Sequence, residues 1–393
     1  MICFQSGSIL GRFSYFYQKI KLDDINSFIS SSLKQREDNN SLRILKPESL
    51  LIDFCSNDYL SFSRSVELKK LYELEVQKYP GYKLGSGGSR LLAGNDQFTE
   101  KLENDIADFH ESEASLLFNS GYDANIGIFS CLPQRGDTII SDEYIHASII
   151  DGVRLSNASR FVFRHNNLDS LEQKLKLAKG RIYIVVESIY SMDGDEAPLI
   201  EICKLAKKFD AGIIVDEAHA TGIFGAQGKG VIHELGLCQD VLARIITFSK
   251  GLGTHGAAIL GSTALRSYLT NYSRSFIYTT AASFLSHLAI KVSYNYLKTV
   301  QPQPDLFERI NCFKSNFQLD ELIPSRSSIQ VMLIPGNTKA KEMAAKIQQA
   351  GFDVRAILSP TVREGSERLR FCIHNHNSMQ EIEDLSREII HLL

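Results

Sequence analysis

Two stretches of this chain carry an acid, an imidazole and an amine at the ends of apolar runs. GIIVDEAHATG (Gly212 to Gly222) contains Asp216 and His219, and ITFSKGLGTHGAA (Ile246 to Ala258) contains Lys250. Parallel strands buried on both faces read as continuous apolar runs, and ligands of open α/β sheets sit off the carboxyl ends of such strands. The two stretches therefore offer all three groups to one crevice.

Lys250 stands on a short Ser-Lys-Gly-Leu-Gly turn, where glycine lets a ligand approach the backbone. A desolvated lysine loses proton affinity and becomes a usable nucleophile. Alone, a lysine reads as a solvated surface group; Asp216, at the end of another apolar run, changes that reading. Asp216 alone would read as a turn or N-cap residue, but the preceding GIIV implies burial, and a buried carboxylate needs a cationic or hydrogen-bonding partner. Its neighbour Glu217 points to the other side of the strand and is given no role. His146, in SDEYIHASI, follows a strand and begins a helix, where an imidazole could stack on a planar ring. His219 could hydrogen-bond a phenolic oxygen. In NSGYDAN, the Gly121 and Tyr122 amides fall at a helix amino end, which attracts anions, although an ordinary strand-to-helix turn has the same sequence. Thr247 adds a hydroxyl beside them. A lysine for an aldehyde, a carboxylate for a pyridine nitrogen and donors for a phosphate together suit pyridoxal 5'-phosphate, PLP. GLGTHG and GAQGKG are not G-x-G-x-x-G, so dinucleotide binding is a secondary reading.

The elements that must position these residues can be read from periodicity. Strands are expected at Leu51 to Phe54, Ala114 to Phe118, Thr138 to Ser141, Arg160 to Phe163, Arg181 to Glu187, Gly212 to Asp216, Arg244 to Phe248 and Ala257 to Gly261. Helices fit between them, including 22–38, Thr99 to Glu111, 146–156 and Leu199 to Phe209, and Gly81 to Gly94 reads as a loop. Such alternation predicts a mainly parallel seven-stranded α/β sheet flanked by helices. A helix near Ala281 to Val300 then meets QPQPD, a natural boundary. Strands at Ser328 to Ile334, Phe352 to Ile357 and Arg368 to Ile373, with helices at Ala340 to Ala350 and Met379 to Leu392, make a small α+β domain. The expected division is an amino-terminal extension and helix (1–55), a large ligand-binding domain (56–295) and a small carboxyl-terminal domain (296–393).

A chain of 393 residues exceeds one small core, and its 44% hydrophobic and 23% charged content is ordinary for a globular protein. The net charge of −3, without long basic runs, gives no sign of nucleic-acid or membrane-surface partners. The seven cysteines are scattered without CxxC, which fits reduced thiols in the cytoplasm. Cys372, His374 and His376 form no complete metal set. Residues 1–20 lack the features of a signal peptide.

From about Asp53 onward the chain resembles the α-oxoamine synthases, fold-type I PLP-dependent transferases that condense an amino acid with an acyl thioester. The resemblance rests on DFCSNDYL, GSGGSRLLAG, FNSGYDAN, DEYIHASI, ESIYSMDGDEAPL, VDEAHATGIFG, TFSKGLGTHGAA, FIYTTA and SPTVREGSERLR. It implies that Lys250 binds the PLP aldehyde, Asp216 pairs with the pyridine nitrogen, His146 stacks on the ring and serves as an acid, and His219 and Ser191 hydrogen-bond the cofactor. It further implies that Gly121, Tyr122 and Thr247 hold the phosphate, and that Thr280 reaches the phosphate of a second subunit in a homodimer. Asn57 and Arg370 would take the amino-acid carboxylate, for which a guanidinium fork is suited, and Arg43 and Thr361 the acyl substrate. GSGGSRLLAG and FIYTTA point toward L-alanine and a pimeloyl thioester, on CoA or a carrier protein, as substrates. Members that take glycine or serine share the same residues, and a nucleotide-binding or catalytically silent protein on the same fold is the reading from another class. The chain departs from the family at Thr99, where His or Tyr is common, and at Ala282-Ser283, where a proline pair is common; the segment from Arg43 to Asp53 is also short.

Overall fold

The computed structural model describes residues 22–45, 47, 49–318 and 322–393; the expected extension at residues 1–20 lies outside these. The strands are β1 (Ile52–Asp53), β2 (Ala114–Phe118), β3 (Thr138–Asp142), β4 (Ser159–Phe163), β5 (Ile182–Glu187), β6 (Ala211–Asp216), β7 (Ala243–Thr247), β8 (Ala257–Gly261), β9 (Ile329–Leu333), β10 (Phe352–Asp353), β11 (Arg355–Ile357) and β12 (Arg368–Cys372). Seven form one sheet in the order β2-β8-β7-β6-β5-β3-β4. β8 runs antiparallel to both neighbours and the remaining pairs are parallel. The expected sheet is therefore present, with most strand limits within a residue of those read from apolar runs.

The apolar runs are continuous because helices cover both faces. Val186, Val215 and Ile246 pack into one cluster, and Val185, Ile214 and Ile245 into the other. All six are fully buried, and each such burial contributes roughly 1.5–3 kcal/mol. Side-chain alternation separates the two acids at the end of β6: Asp216 lies on the Ile214 side, toward the helix Gly121–Cys131, and Glu217 on the other. Glu217 is fully buried, accepts from Ile232 N at 3.0 Å, and has its pKa raised by burial to about 7.

A second sheet, β11-β12-β9, is antiparallel, and the helices Asn337–Gln349 and Met379–Leu392 accompany it. The expected strand Phe352 to Ile357 is two strands: β10 pairs with β1, whereas β11 pairs with β12. The chain crosses between sheets at Val354, a fully buried position. QPQPD, expected as a boundary, opens the helix Gln303–Ser315; proline suits a first helical turn, where its missing N–H goes unused. Gly81 to Gly94, expected as a loop, ends in a π-helical turn over Arg90–Gly94. It closes because Ser89 O accepts from the amides of Leu92, Ala93 and Gly94. The first helix, Leu22–Asp38, bears the expected stripe, but Ile25, Phe28, Ile29 and Leu33 are exposed. Among the described residues no helix is long and apolar enough to cross a membrane, and six cysteines are free.

Candidate active site

The carboxyl ends of β3, β5, β6 and β7 converge on the crevice. Asp216 closes β6 and is 6% exposed. Asn125 Nδ2 donates to its Oδ2 at 2.8 Å and Ala218 N to its Oδ1 at 2.9 Å. No lysine or arginine ion-pairs with it among the described residues. Asn125 also donates to Ser148 Oγ at 3.0 Å, and Ser148 Oγ lies 2.7 Å from His146 Nδ1. One chain of hydrogen bonds thus links the end of β6, through the helix Gly121–Cys131, to His146, the N-cap of the helix Ala147–Leu155. Desolvation by the crevice walls lowers the His146 pKa against the pull of Asp216.

Lys250 is half-buried on the turn after β7, and its Nζ makes no hydrogen bond or ion pair with the described residues. Burial holds its pKa below the ordinary lysine value, against Asp216 and Glu187. Burial thus favours the neutral amine over the charged one. His219 Nδ1 lies 2.8 Å from Tyr59 Oη, and burial together with Lys250 and Arg370 holds His219 neutral. Tyr59 continues to Asn57 Oδ1 at 3.0 Å, which also accepts from Arg370 Nη2 at 2.9 Å. Arg370 Nε donates to Ser191 O at 2.9 Å. His219, Asn57, Ser191 and Arg370, drawn from four separate motifs, therefore form one connected group.

At the other end, Gly121 and Tyr122 are the first two residues of their helix, capped by Ser120, whose Oγ accepts from Asp123 N at 3.1 Å. The Gly121 and Tyr122 amides donate to no described group, which leaves two N–H groups at a helix amino end for an anion. A Cβ at Gly121 would stand 2.7 Å from Thr247 Cγ2, so glycine is needed for Thr247 to share that corner. Asn119 Nδ2 donates to Thr280 O at 2.8 Å, which binds the FIYTTA segment to this corner. Thr280 itself is exposed. A cavity of about 630 Å³ adjoins the crevice, with His146, Ile150, Ser191 and Met192 on one side and Arg43 and Thr361 on the other. Arg43 Nη2 donates to Thr361 Oγ1 at 3.2 Å within that wall.

Two of the three departures from the family have local explanations. Thr99 is buried, its hydroxyl 2.9 Å from His287 Nδ1. Ser283 caps the helix Phe284–Val300 by accepting from Ser286 N. Asp53, His374 and His376 bring their ligating atoms within 4.8 Å of one another. Arg64 donates to Asp53 at 2.6 Å, and His374 hydrogen-bonds Asn377 and Ser56. His376 Nδ1 lies 2.8 Å from Ser61 Oγ, and Cys372 lies outside the group.

Sequence reasoning missed Asn125, Tyr59, Glu187 and the cluster around His165. Asn125 follows Gly121 by one helical turn, the spacing that sets two residues on one face, and that was its only signal. His165 lies 3.0 Å from Asp142 and 2.7 Å from Asp195, and stacks on Tyr144 with ring centroids 4.3 Å apart. Burial opposes its charge, but the two carboxylates prevail and raise its pKa to about 9. A raised pKa stabilises the fold fully below the unfolded value of about 6.5 and loses that contribution as pH rises through about 9. His165→Asn is expected to cost about 3 kcal/mol at pH 6, since it strands two carboxylates, with the deficit shrinking toward pH 10. Urea unfolding across that range measures it; a deficit independent of pH would contradict the assignment.

The residues fit PLP on structural grounds. A buried carboxylate without a cationic partner suits a pyridinium N–H, an unpaired lysine amine lies within its electrostatic reach, and two free amides cap the far end. The aminotransferase class I and II family matches residues 50–388, and the chain belongs to it. The chain is similar to 8-amino-7-oxononanoate synthase of Emericella nidulans, at 41% identity over 92% of this chain and 94% of that one. A solved 8-amino-7-oxononanoate synthase from Francisella tularensis superposes with a TM-score of 0.73 at 28% identity, covering 87% of this chain and 98% of that one. A serine palmitoyltransferase from S. paucimobilis, solved with PLP and myriocin bound, gives 0.80 at 25% identity, covering 94% and 97%.

Proposed function

We propose that this chain is a PLP-dependent acyltransferase of biotin biosynthesis. It condenses L-alanine with a pimeloyl thioester, on CoA or a carrier protein, to give 8-amino-7-oxononanoate, CO2 and the free thiol. The observation that carries the reading is the buried, cation-free Asp216 facing the unpaired amine of Lys250.

PLP, when bound, supplies an electron sink for the α-carbon of the amino acid. Asp216 holds a proton on the ring nitrogen, and Asn125 and Ala218 N orient its carboxylate. Neutral His219 receives the phenolic oxygen, its other nitrogen fixed by Tyr59, while Ser191 adds a hydrogen bond. The Gly121 and Tyr122 amides and Thr247 hold the phosphate. Arg370, steadied by Asn57 and Ser191 O, grips the alanine carboxylate. Lys250 removes the α-proton, since burial favours its neutral amine, the form able to accept one. His146, aligned by Ser148, gives a proton in the condensation. Arg43 and Thr361 contact the acyl chain in the adjoining cavity.

A homodimer completes the site. Leu91, Leu92 and Tyr278 are 51%, 87% and 72% exposed beside the exposed Thr280, and large apolar side chains left open together mark an interaction surface. Thr280 would then reach the phosphate of the second subunit.

One observation favours a second reading: the serine palmitoyltransferase gives the higher TM-score, 0.80 against 0.73. An assay crossing alanine, glycine and serine with pimeloyl-, acetyl-, succinyl- and palmitoyl-CoA separates the two. Alanine with the pimeloyl thioester is expected to exceed every other pair in kcat/KM by at least about tenfold, a difference of about 1.4 kcal/mol in transition-state binding. Preference for serine with palmitoyl-CoA, or glycine with acetyl-CoA, would replace the alanine assignment while leaving the class intact.

A further inference from the structure

Glu187 ends β5 and lies in register with Asp216 at the end of β6. Both side chains occupy the same sheet face, so two carboxyl groups stand side by side at the floor of the crevice. Glu187 is 3% exposed. Its Oε2 accepts from Ser191 N at 3.3 Å, and the His146 amide faces the same carboxyl. The other oxygen, Oε1, is buried and has no hydrogen-bond partner among the described residues. The two amides belong to separate loops, after β3 and after β5, and each loop carries a group assigned above to the cofactor.

We propose that Glu187 is a positioning residue for the condensation: one neutral carboxyl group on the crevice floor holds the Ser191 loop by its amide, faces the amide of His146, and leaves the negative charge beside Lys250 to Asp216. The inference rests on the acyltransferase reading for its kinetic consequences but not for its structural ones. The groups facing Glu187 are Asp216 from β6, Lys250 from the turn after β7, and Tyr190 from its own loop. Burial, and then the charge of Asp216, raises the Glu187 pKa to about 8, against Lys250 and the two amides. Two adjacent buried carboxylates do not both ionise readily, since like charges at close range oppose each other. Asp216 can thus stay ionised for the ring nitrogen while Glu187 stays neutral at pH 7 and keeps the Ser191 amide as a donor to it. Above about pH 8 a second negative charge arises on the crevice floor and competes with Asp216 for Lys250.

Glu187→Gln tests this, because glutamine keeps an acceptor for the Ser191 amide but cannot ionise. In cofactor-free protein at pH 8, above the Glu217 transition near 7, the infrared carbonyl band of a buried protonated carboxyl is expected to remain in the parent, to fade by about pH 9, and to be missing from Glu187→Gln. In the PLP-loaded enzyme, Glu187→Gln is expected to keep kcat at pH 7 within about threefold while its alkaline limb near pH 8 moves upward. Glu187→Leu, which removes the acceptor, is expected to lower kcat by more than tenfold with little change in KM. An unchanged carbonyl band in Glu187→Gln, or an alkaline limb unmoved in it, would overturn the proposal. Failure of the infrared result alone rejects the role of Glu187, whereas absence of any acyl transfer in the parent rejects the underlying reading.

Discussion

Lys250→Ala is expected to leave no measurable turnover. The substitution removes the amine that holds the cofactor aldehyde and the base that takes the substrate α-proton. Loss of a general base alone costs about 10²- to 10⁴-fold, and no second lysine is among the groups that face Asp216 in the crevice. The variant should fold as the parent does, since Nζ makes no hydrogen bond or ion pair with the described residues, and trading a half-buried lysine for alanine leaves no charge stranded. Three measurements check this: turnover with L-alanine and pimeloyl-CoA, the visible absorbance of PLP held by a lysine, and borohydride fixation of PLP to the peptide containing position 250. Activity retained above one per cent, or fixation at another lysine, would remove Lys250 from its assigned role.

Asp216→Asn is expected to be the next most severe. Asparagine keeps the size of the side chain and an acceptor for Ala218 N. It loses the negative charge that keeps the ring nitrogen protonated. Removing one partner of a buried charge pair costs about 3–5 kcal/mol, which corresponds to roughly 10²- to 10⁴-fold in kcat/KM. Stability should move in the opposite sense. Without cofactor, Asp216 is a buried carboxylate satisfied only by neutral donors, so neutralising it removes a desolvation cost. Cofactor-free Asp216→Asn is therefore expected to unfold at a higher denaturant concentration than the parent, a function-for-stability exchange common at active sites. Loss of both activity and stability would point to a structural role instead.

Much of the site was legible along the chain. The apolar runs of β5, β6 and β7 announced themselves because both faces are covered, and the break from apolar to polar residues marked their carboxyl ends. Lys250 and Asp216 were legible only as a pair, since each alone has a commoner explanation. The phosphate corner was legible from a glycine between a strand and a helix, and the clash a Cβ would make with Thr247 accounts for that glycine.

Other features had no local signature. Asn125 sits in the middle of a helix, and nothing in NSGYDAN says that its amide will meet Asp216, 91 positions later. The split of Phe352 to Ile357 into two strands reflects a choice of partners, β1 for one half and β12 for the other, and pairing partners are not encoded in a short apolar run. The π-helical turn at Arg90–Gly94 is set by one carbonyl that gathers three amides, in a stretch whose glycines suggest only a loop.

The residue types and their spacing by themselves determined the α/β class, the crevice end of the sheet and the kind of chemistry, because strand burial and side-chain ionisation act over a few residues. Only the tertiary structure decided which carboxyl groups stand together, which of them meets a cation and which histidine stays neutral. Those outcomes depend on desolvation and on charges a few ångströms apart in space but dozens or hundreds of residues apart in the chain: Glu187 beside Asp216, His219 on Tyr59, Arg43 on Thr361. Coulombic and hydrogen-bond energies fall steeply with distance, so folding must bring these groups together before their protonation states are fixed.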